Sequence, residues 1–100
     1  TGLKRTPQLP NVPTVDESGV KGYESTGWYG LYGPRGLPRP IVDRLSTAAR
    51  QIVQSQDMRD RFTQLNLKPV GSTPEEFAKF LKADYERYVA VAKAANIQPQ

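Results

Sequence analysis

Residues 73–96 read TPEEFAKFLKADYERYVAVAKAAN, and this stretch decides the largest element of the fold. Thr73 can accept a hydrogen bond at the N-cap of a helix, Pro74 suits the first helical position, and Glu76 can return a bond to the cap. The spacing predicts a helix from residue 74 to about residue 95, with Asn96 as its left-handed cap. The helix carries an apolar band that we expect to lie in the core: Phe77, Phe80, Leu81, Tyr85, Tyr88, Val89 and Ala92.

Two further helices are predicted upstream of this stretch. The first covers about residues 38–54 and is amphipathic. Ser55 is expected to cap a second, shorter helix that ends near Asn66. The residues that follow, 67–71, are predicted to form a short strand at a sheet edge, because Pro69 cannot donate a ladder hydrogen bond. The apolar side of the first helix comprises Ile41, Leu45, Ala48, Ala49, Ile52 and Val53, and that of the second comprises Met58, Phe62 and Leu65.

The first third of the chain has a different composition. Residues 1–36 hold 11 of the 17 Gly and Pro residues, so we expect irregular, extended backbone there. Within it, Thr14 has an acidic residue three positions later and Gly19 can serve as a left-handed cap, which predicts one or two helical turns at residues 14–18. The aromatic stretch at residues 23–32 is rich in strand-forming residues and is predicted to form a strand.

The composition excludes several classes of function. The chain of 100 residues has no Cys and no His, which rules out disulfides, thiolate metal sites and His-based catalysis. We therefore expect no metal, no cofactor and no enzymatic activity. The net charge of +4 is spread evenly, with +2 on residues 1–40 and +2 on residues 41–100, whereas nucleic-acid binding favours clustered cations. No apolar run approaches the roughly 18 residues of a membrane-spanning helix.

Several segments of the chain resemble a known family in order and spacing. They read PNVPTVDESG at residues 10–19, GYE at 22–24, GWYGLYGP at 27–34, PRPIVDRL at 38–45 and PVGSTPEEF at 69–77. Together they are similar to the C-terminal part of the tripartite tricarboxylate transporter receptors, also called Bug-type solute-binding proteins, and the resemblance covers nearly the whole chain. Among the departures from the family pattern, Asn66 stands where glycine is frequent and Leu37 where a helix-capping threonine is usual.

The resemblance implies an α/β fold: the C-terminal part of a two-lobed periplasmic-binding-protein fold, with few short strands and three main helices. Residues 1–34 would form the end of the second lobe and the segment that crosses the hinge, and residues 35–100 would pack as helices on the first lobe. It also implies a periplasmic receptor that captures a small organic anion, of dicarboxylate, tricarboxylate or amino-acid type, for membrane permease subunits. The expected ligand-binding residues are Thr14, Trp28 and Tyr29.

Plainer interpretations stay open beside this one. Thr14 can serve only as a helix cap, and Trp28 and Tyr29 can serve only as packing residues at the lobe boundary. The alternative function is a small protein-interaction module without a small-molecule ligand, which would expose a large apolar face. A basic nucleic-acid binder would instead bind with steep salt dependence. We also expect the 100 residues to be an incomplete fold, whose strand edges missing chain or a second copy would cover.

Overall fold

The computed structural model describes residues 1–98, and the chain divides into two compact units, Thr1–Arg35 and Gly36–Gln100. The first unit consists of turns and irregular backbone. Within the described residues, none of the helices combines the length and the apolar composition that a membrane span requires. The described residues of the second unit form three helices, which are α1 (Arg39–Gln54), α2 (Gln56–Gln64) and α3 (Pro74–Ala94).

The start of α3 confirms the predicted capping box. The Glu76 N–H donates to the Thr73 hydroxyl at 3.2 Å, and the Glu76 carboxylate accepts from the Thr73 N–H at 2.8 Å. Pro74 occupies the first helical position, where its missing N–H costs no intrahelical bond. Two of the amide donors that a helix start leaves unpaired are thus satisfied by residues only three apart.

Directly after the C-cap residue of α2 and of α3 stands an asparagine with a positive φ angle, 56° at Asn66 and 53° at Asn96. In each case the asparagine N–H donates to the carbonyl three residues earlier, at 3.1 Å. The following residue donates to the carbonyl five residues earlier, at 2.7 Å after Asn66 and 2.9 Å after Asn96. These paired bonds are the Schellman pattern, and they confirm both predicted helix ends.

The start of α1 and the junction between α1 and α2 are less well capped. Pro38 is the N-cap of α1 and makes no side-chain cap bond, in keeping with Leu37 in place of the usual threonine. Ser55 is the N-cap residue of α2, as predicted, but its side chain makes no cap hydrogen bond there, and its hydroxyl donates instead to the Ile52 carbonyl at 2.7 Å. Ser55 alone separates the two helices, so it is also the C-cap of α1, where unpaired carbonyls are the nearest acceptors.

The strands predicted at residues 23–32 and 67–71 do not form, and residues 1–98 contain helices without strands. The helix predicted at residues 14–18 is a single turn, too short to be a helix. Turn and cap geometry is local, but a strand exists only where a second strand accepts its hydrogen bonds. The α/β class is therefore not seen in the described residues.

The predicted core is also absent from the described residues, in which no apolar side chain is buried. Tyr85 is 71% exposed and Tyr88 is 54% exposed, although both lie on the apolar band of α3. On α1, Val53 is half-buried while Ile52 is exposed. Helical spacing shows which face is apolar, but burial needs a second layer against that face. The exposed members of the predicted apolar bands are Ile41, Leu45, Ala48, Ile52, Leu65, Phe80, Tyr85 and Tyr88.

Candidate functional site

The turn around Thr14 is the most extensively hydrogen-bonded part of the first unit. Thr14 is only 5% exposed. Its hydroxyl accepts from the Glu17 N–H at 3.1 Å, and its N–H donates to the Glu17 carboxylate at 2.8 Å, so a capping box forms as the spacing predicts. Gly19 then closes the turn with a φ of 117°, a conformation that side chains disfavour. The Thr14 carbonyl accepts from both the N–H and the hydroxyl of Ser18.

The side chain of Arg5 binds the turn around Thr14 through two hydrogen bonds. Its Nε donates to the Glu17 carboxylate at 2.8 Å, and its Nη1 donates to the Pro10 carbonyl at 3.0 Å. The Arg5 hydrogen bond, followed by that of the Thr14 N–H, holds the pKa of Glu17 below its usual value. One guanidinium therefore fixes the proline-rich segment to the turn. Arg5 was not predicted from the sequence: its Nε donates to the same Glu17 Oε2 that accepts from the Thr14 N–H, and a separation of twelve residues gives no signal for this pair.

Asp16 extends the same network to the following residues. Its Oδ1 accepts from the Gly22 N–H at 2.7 Å, and its Oδ2 lies 3.6 Å from the Lys21 ammonium. The Gly22 φ of 77° allows this backbone approach. Residues 5–22 thus form a loop that is held by two carboxylates, Asp16 and Glu17, with their positive partners.

The other two expected ligand-binding residues lie in irregular backbone. Trp28 is 37% exposed and Tyr29 is 88% exposed, so Tyr29 packs little. The oxygen of the Thr14 hydroxyl accepts the cap bond from the Glu17 N–H, and the hydroxyl proton remains available to donate to another group. The capping role of Thr14 is thereby confirmed, and a ligand contact by Thr14, Trp28 or Tyr29 stays a prediction.

In the helical unit, the side chain of Arg39 links the first turn of α1 to the first turn of α3. Arg39 donates from Nε to Asp43 at 2.8 Å and from Nη2 to Glu75 at 2.6 Å. The hydrogen bond to Arg39 is the main cause that lowers the pKa of Glu75.

Further along α3, the buried carboxylate of Asp84 accepts a hydrogen bond from Arg87. No group of three or more acidic side chains that could hold a metal ion occurs within residues 1–98.

The comparisons with known proteins agree on one family. The profile described as "Tripartite tricarboxylate transporter family receptor" matches residues 1–97. A "UPF0065 protein in tcbD-tcbE intergenic region" from Pseudomonas sp. (strain P51) is 38% identical over 89 residues, which are 88% of this chain and 26% of the relative. A "UPF0065 protein in the TAR-I ttuE-ttuC' intergenic region" from Agrobacterium vitis is 36% identical over 99 residues, which are 96% of this chain and 29% of the relative.

A more distant relative carries a protein name of its own. "Protein BugT" from Bordetella pertussis is 25% identical over 89 residues, 89% of this chain and 27% of that protein. The chain thus spans between a quarter and a third of the length of the curated relatives that it matches. No solved structure gives a significant match. Because the family profile covers nearly all of the sequence, the chain belongs to the tripartite tricarboxylate transporter receptor family.

Proposed function

We propose that this chain is the C-terminal part of a periplasmic receptor that captures a small carboxylate and delivers it to the membrane permease subunits of a transporter. The observation that carries the proposal is the family match over residues 1–97. The ligand class is an organic anion of dicarboxylate, tricarboxylate or amino-acid type. The chain acts by binding and not by catalysis, in line with a sequence that has neither His nor Cys.

The proposed fold of the whole protein is α/β with two lobes. Residues 1–34 complete the second lobe and cross the hinge, and residues 35–100 pack on the first lobe. The exposure of apolar side chains supports this arrangement, since within residues 1–98 none of them is buried and a longer protein supplies the missing layer. The chain spans only 26% and 29% of the length of the two UPF0065 relatives, which also supports its place in a longer two-lobed protein.

The proposed ligand contacts are Thr14, Trp28 and Tyr29. The Thr14 proton can be donated to a carboxylate oxygen while the hydroxyl oxygen keeps its cap bond. Backbone amides at turns and helix starts, together with such hydroxyls, hold an anion without a cationic side chain. Closure of the lobes then supplies the contacts that favour the bound state.

Calorimetric titration of the full-length protein with a panel of dicarboxylates, tricarboxylates and acidic amino acids tests this function. One class should bind, and at 100 times its Kd it should stabilise the protein by about 2.7 kcal/mol. Thr14→Val should weaken binding while Thr14→Ser should not, because only valine removes the hydroxyl. Indifference to the whole panel would reject the receptor function.

The alternative is a protein-interaction module without a small-molecule ligand. The exposed apolar side chains of α1 and α3 are the observation in its favour, because patches of this kind mark interaction surfaces. In that case the full-length protein would bind no carboxylate, and those apolar side chains would remain accessible in it. Surface labelling of Tyr85 and Tyr88 in the full-length protein distinguishes the two functions.

A further inference from the structure

The aromatic segment at residues 27–31 has backbone groups that residues 1–98 do not satisfy. Gly27, Tyr29, Gly30 and Leu31 make no backbone hydrogen bond within that range. The side chains of Tyr29 and Leu31 are 88% and 74% exposed. No positive φ angle interrupts residues 23–29, so the backbone leading into the segment is compatible with a strand. A row of free N–H and C=O groups is a template for a pairing chain.

The backbone just before this segment already has one paired position. The nitrogen of Thr1 donates to the Ser25 carbonyl at 2.7 Å, and the Ser25 N–H donates to the Thr1 carbonyl at 2.9 Å. Two residues that exchange both bonds form the hydrogen-bonded pair of an antiparallel ladder.

This single pair sets the direction and the register of the ladder. In an antiparallel pair, the residue n positions before Thr1 faces residue 25 + n. Hydrogen-bonded pairs alternate with non-hydrogen-bonded pairs. In a ladder that continues in this register, the amides of Gly27, Tyr29 and Leu31 would point towards the preceding segment, and those of Trp28 and Gly30 would point away from it.

We propose that the segment immediately preceding Thr1 in the full-length protein is the antiparallel strand partner of residues 27–31. The inference rests on the proposed function, in which the chain is the C-terminal part of a longer receptor. The length of protein outside the structure is ample, because the matched region is 26% to 29% of the relatives. The pairing would form the strand that the composition of residues 23–32 favours.

Residue-resolved amide exchange by NMR on the unmodified full-length protein tests the pairing without any substitution. The amides of Tyr29 and Leu31 should exchange at least about 100-fold more slowly than unstructured amides. Rapid exchange at both positions would overturn the proposal.

A cysteine pair tests the register in a sequence that has no cysteine of its own among these 100 residues. Gly30→Cys combined with a cysteine five positions before Thr1 should form an intramolecular disulfide, because the two residues face each other with adjacent Cβ atoms. In the matched control the second cysteine is three positions before Thr1. That diagonal pair is roughly 7–8 Å apart and should stay reduced.

The outcomes separate the strand pairing from the receptor function. A disulfide only in the control, or disulfide-linked dimers in place of the intramolecular bond, would overturn the pairing. If the disulfide forms in a protein that binds no carboxylate, the receptor function is rejected and the pairing is retained. Carboxylate binding without the facing disulfide and without slow exchange would retain the function and reject the pairing.

Discussion

Arg39 and Glu75 lie 36 residues apart in the sequence, and a hydrogen bond of 2.6 Å joins them. The bond ties the first turn of α1 to the first turn of α3. Arg39 also binds Asp43 on its own helix at 2.8 Å, so one guanidinium serves two carboxylates. A planar guanidinium can serve both because its donors form a fixed fork, which a lysine ammonium lacks.

Removing the Arg39 guanidinium should change the pKa of Glu75 and leave the pKa of Glu76 unchanged. Arg39→Gln should raise the pKa of Glu75 towards its usual value, since the Arg39 hydrogen bond is the main cause of the lowered pKa. The pKa of Glu76 should not follow, because the Thr73 N–H is the main cause that lowers it. NMR titration of the two side-chain carboxyls measures both. A parallel shift of Glu76 would contradict the assignment.

The lowered carboxyl pKa values predict a loss of stability in acid. Glu17, Glu75 and Glu76 all have pKa values below the usual 4.5. The unfolded chain then binds protons more readily than the folded chain, so their stabilisation is present above pH 4.5 and is lost as the pH falls below it. Glu17→Gln should flatten the dependence of the melting temperature on pH between 6 and about 3. A variant with the same slope as the parent would refute this contribution.

The capping box of α3 gives a stability prediction with a conservative control. Thr73→Ala removes the hydroxyl that accepts from the Glu76 N–H, and should cost about 1 kcal/mol of unfolding free energy. Thr73→Ser keeps the hydroxyl and should cost a few tenths at most. Denaturant unfolding of the protein followed by circular dichroism measures the difference. Equal losses in both variants would show that the cap bond contributes nothing.

Asn66 should respond to substitution according to its positive φ angle. Asn66→Gly removes the steric cost of a φ of 56° and should leave stability unchanged or slightly higher. Asn66→Ala should lower it by roughly 1 kcal/mol, because alanine bears the full cost of the left-handed conformation. Thermal unfolding of the two variants gives the comparison. If the Asn66→Ala variant were as stable as the Asn66→Gly variant, the Schellman hydrogen bonds at the end of α2 would not persist in the folded protein.

Gly71 and Gly27 form a matched pair of alanine substitutions. A methyl group on Gly71 would meet Val53 at an ordinary 3.7 Å, so the cost comes from its φ of 64° and should be about 1 kcal/mol. Gly27 has no atom within 4 Å of the added methyl and no positive φ, so Gly27→Ala should be nearly neutral. Chemical denaturation of both variants checks the contrast, and a costly Gly27→Ala would contradict it.

The features that the sequence predicts well are those decided by residues within about five positions of each other. Thr73 with Glu76, and Asn96 at the helix end, need no tertiary information, because the bonded groups are already neighbours in the chain. The same holds for the capping box of Thr14 with Glu17, which forms although the segment is too short to be a helix.

Features that depend on distant residues could not be predicted in the same way. The partner of Glu75 is Arg39, and the partner of Glu17 is Arg5, twelve positions away. Many arginines could fulfil either role in the unfolded chain, so sequence spacing does not select one. The expected strands fail for a related reason, because a strand's composition does not specify its partner.

The lack of buried apolar side chains has a thermodynamic consequence for residues 1–98. Heat capacity increases on unfolding mainly because apolar surface becomes hydrated, and no apolar side chain in this part of the chain is fully buried before unfolding. Taken alone it should absorb heat over a broad range, element by element, with α3 persisting longest because both of its ends are closed by hydrogen bonds. A sharp calorimetric peak requires a fully buried apolar core, which these residues do not have.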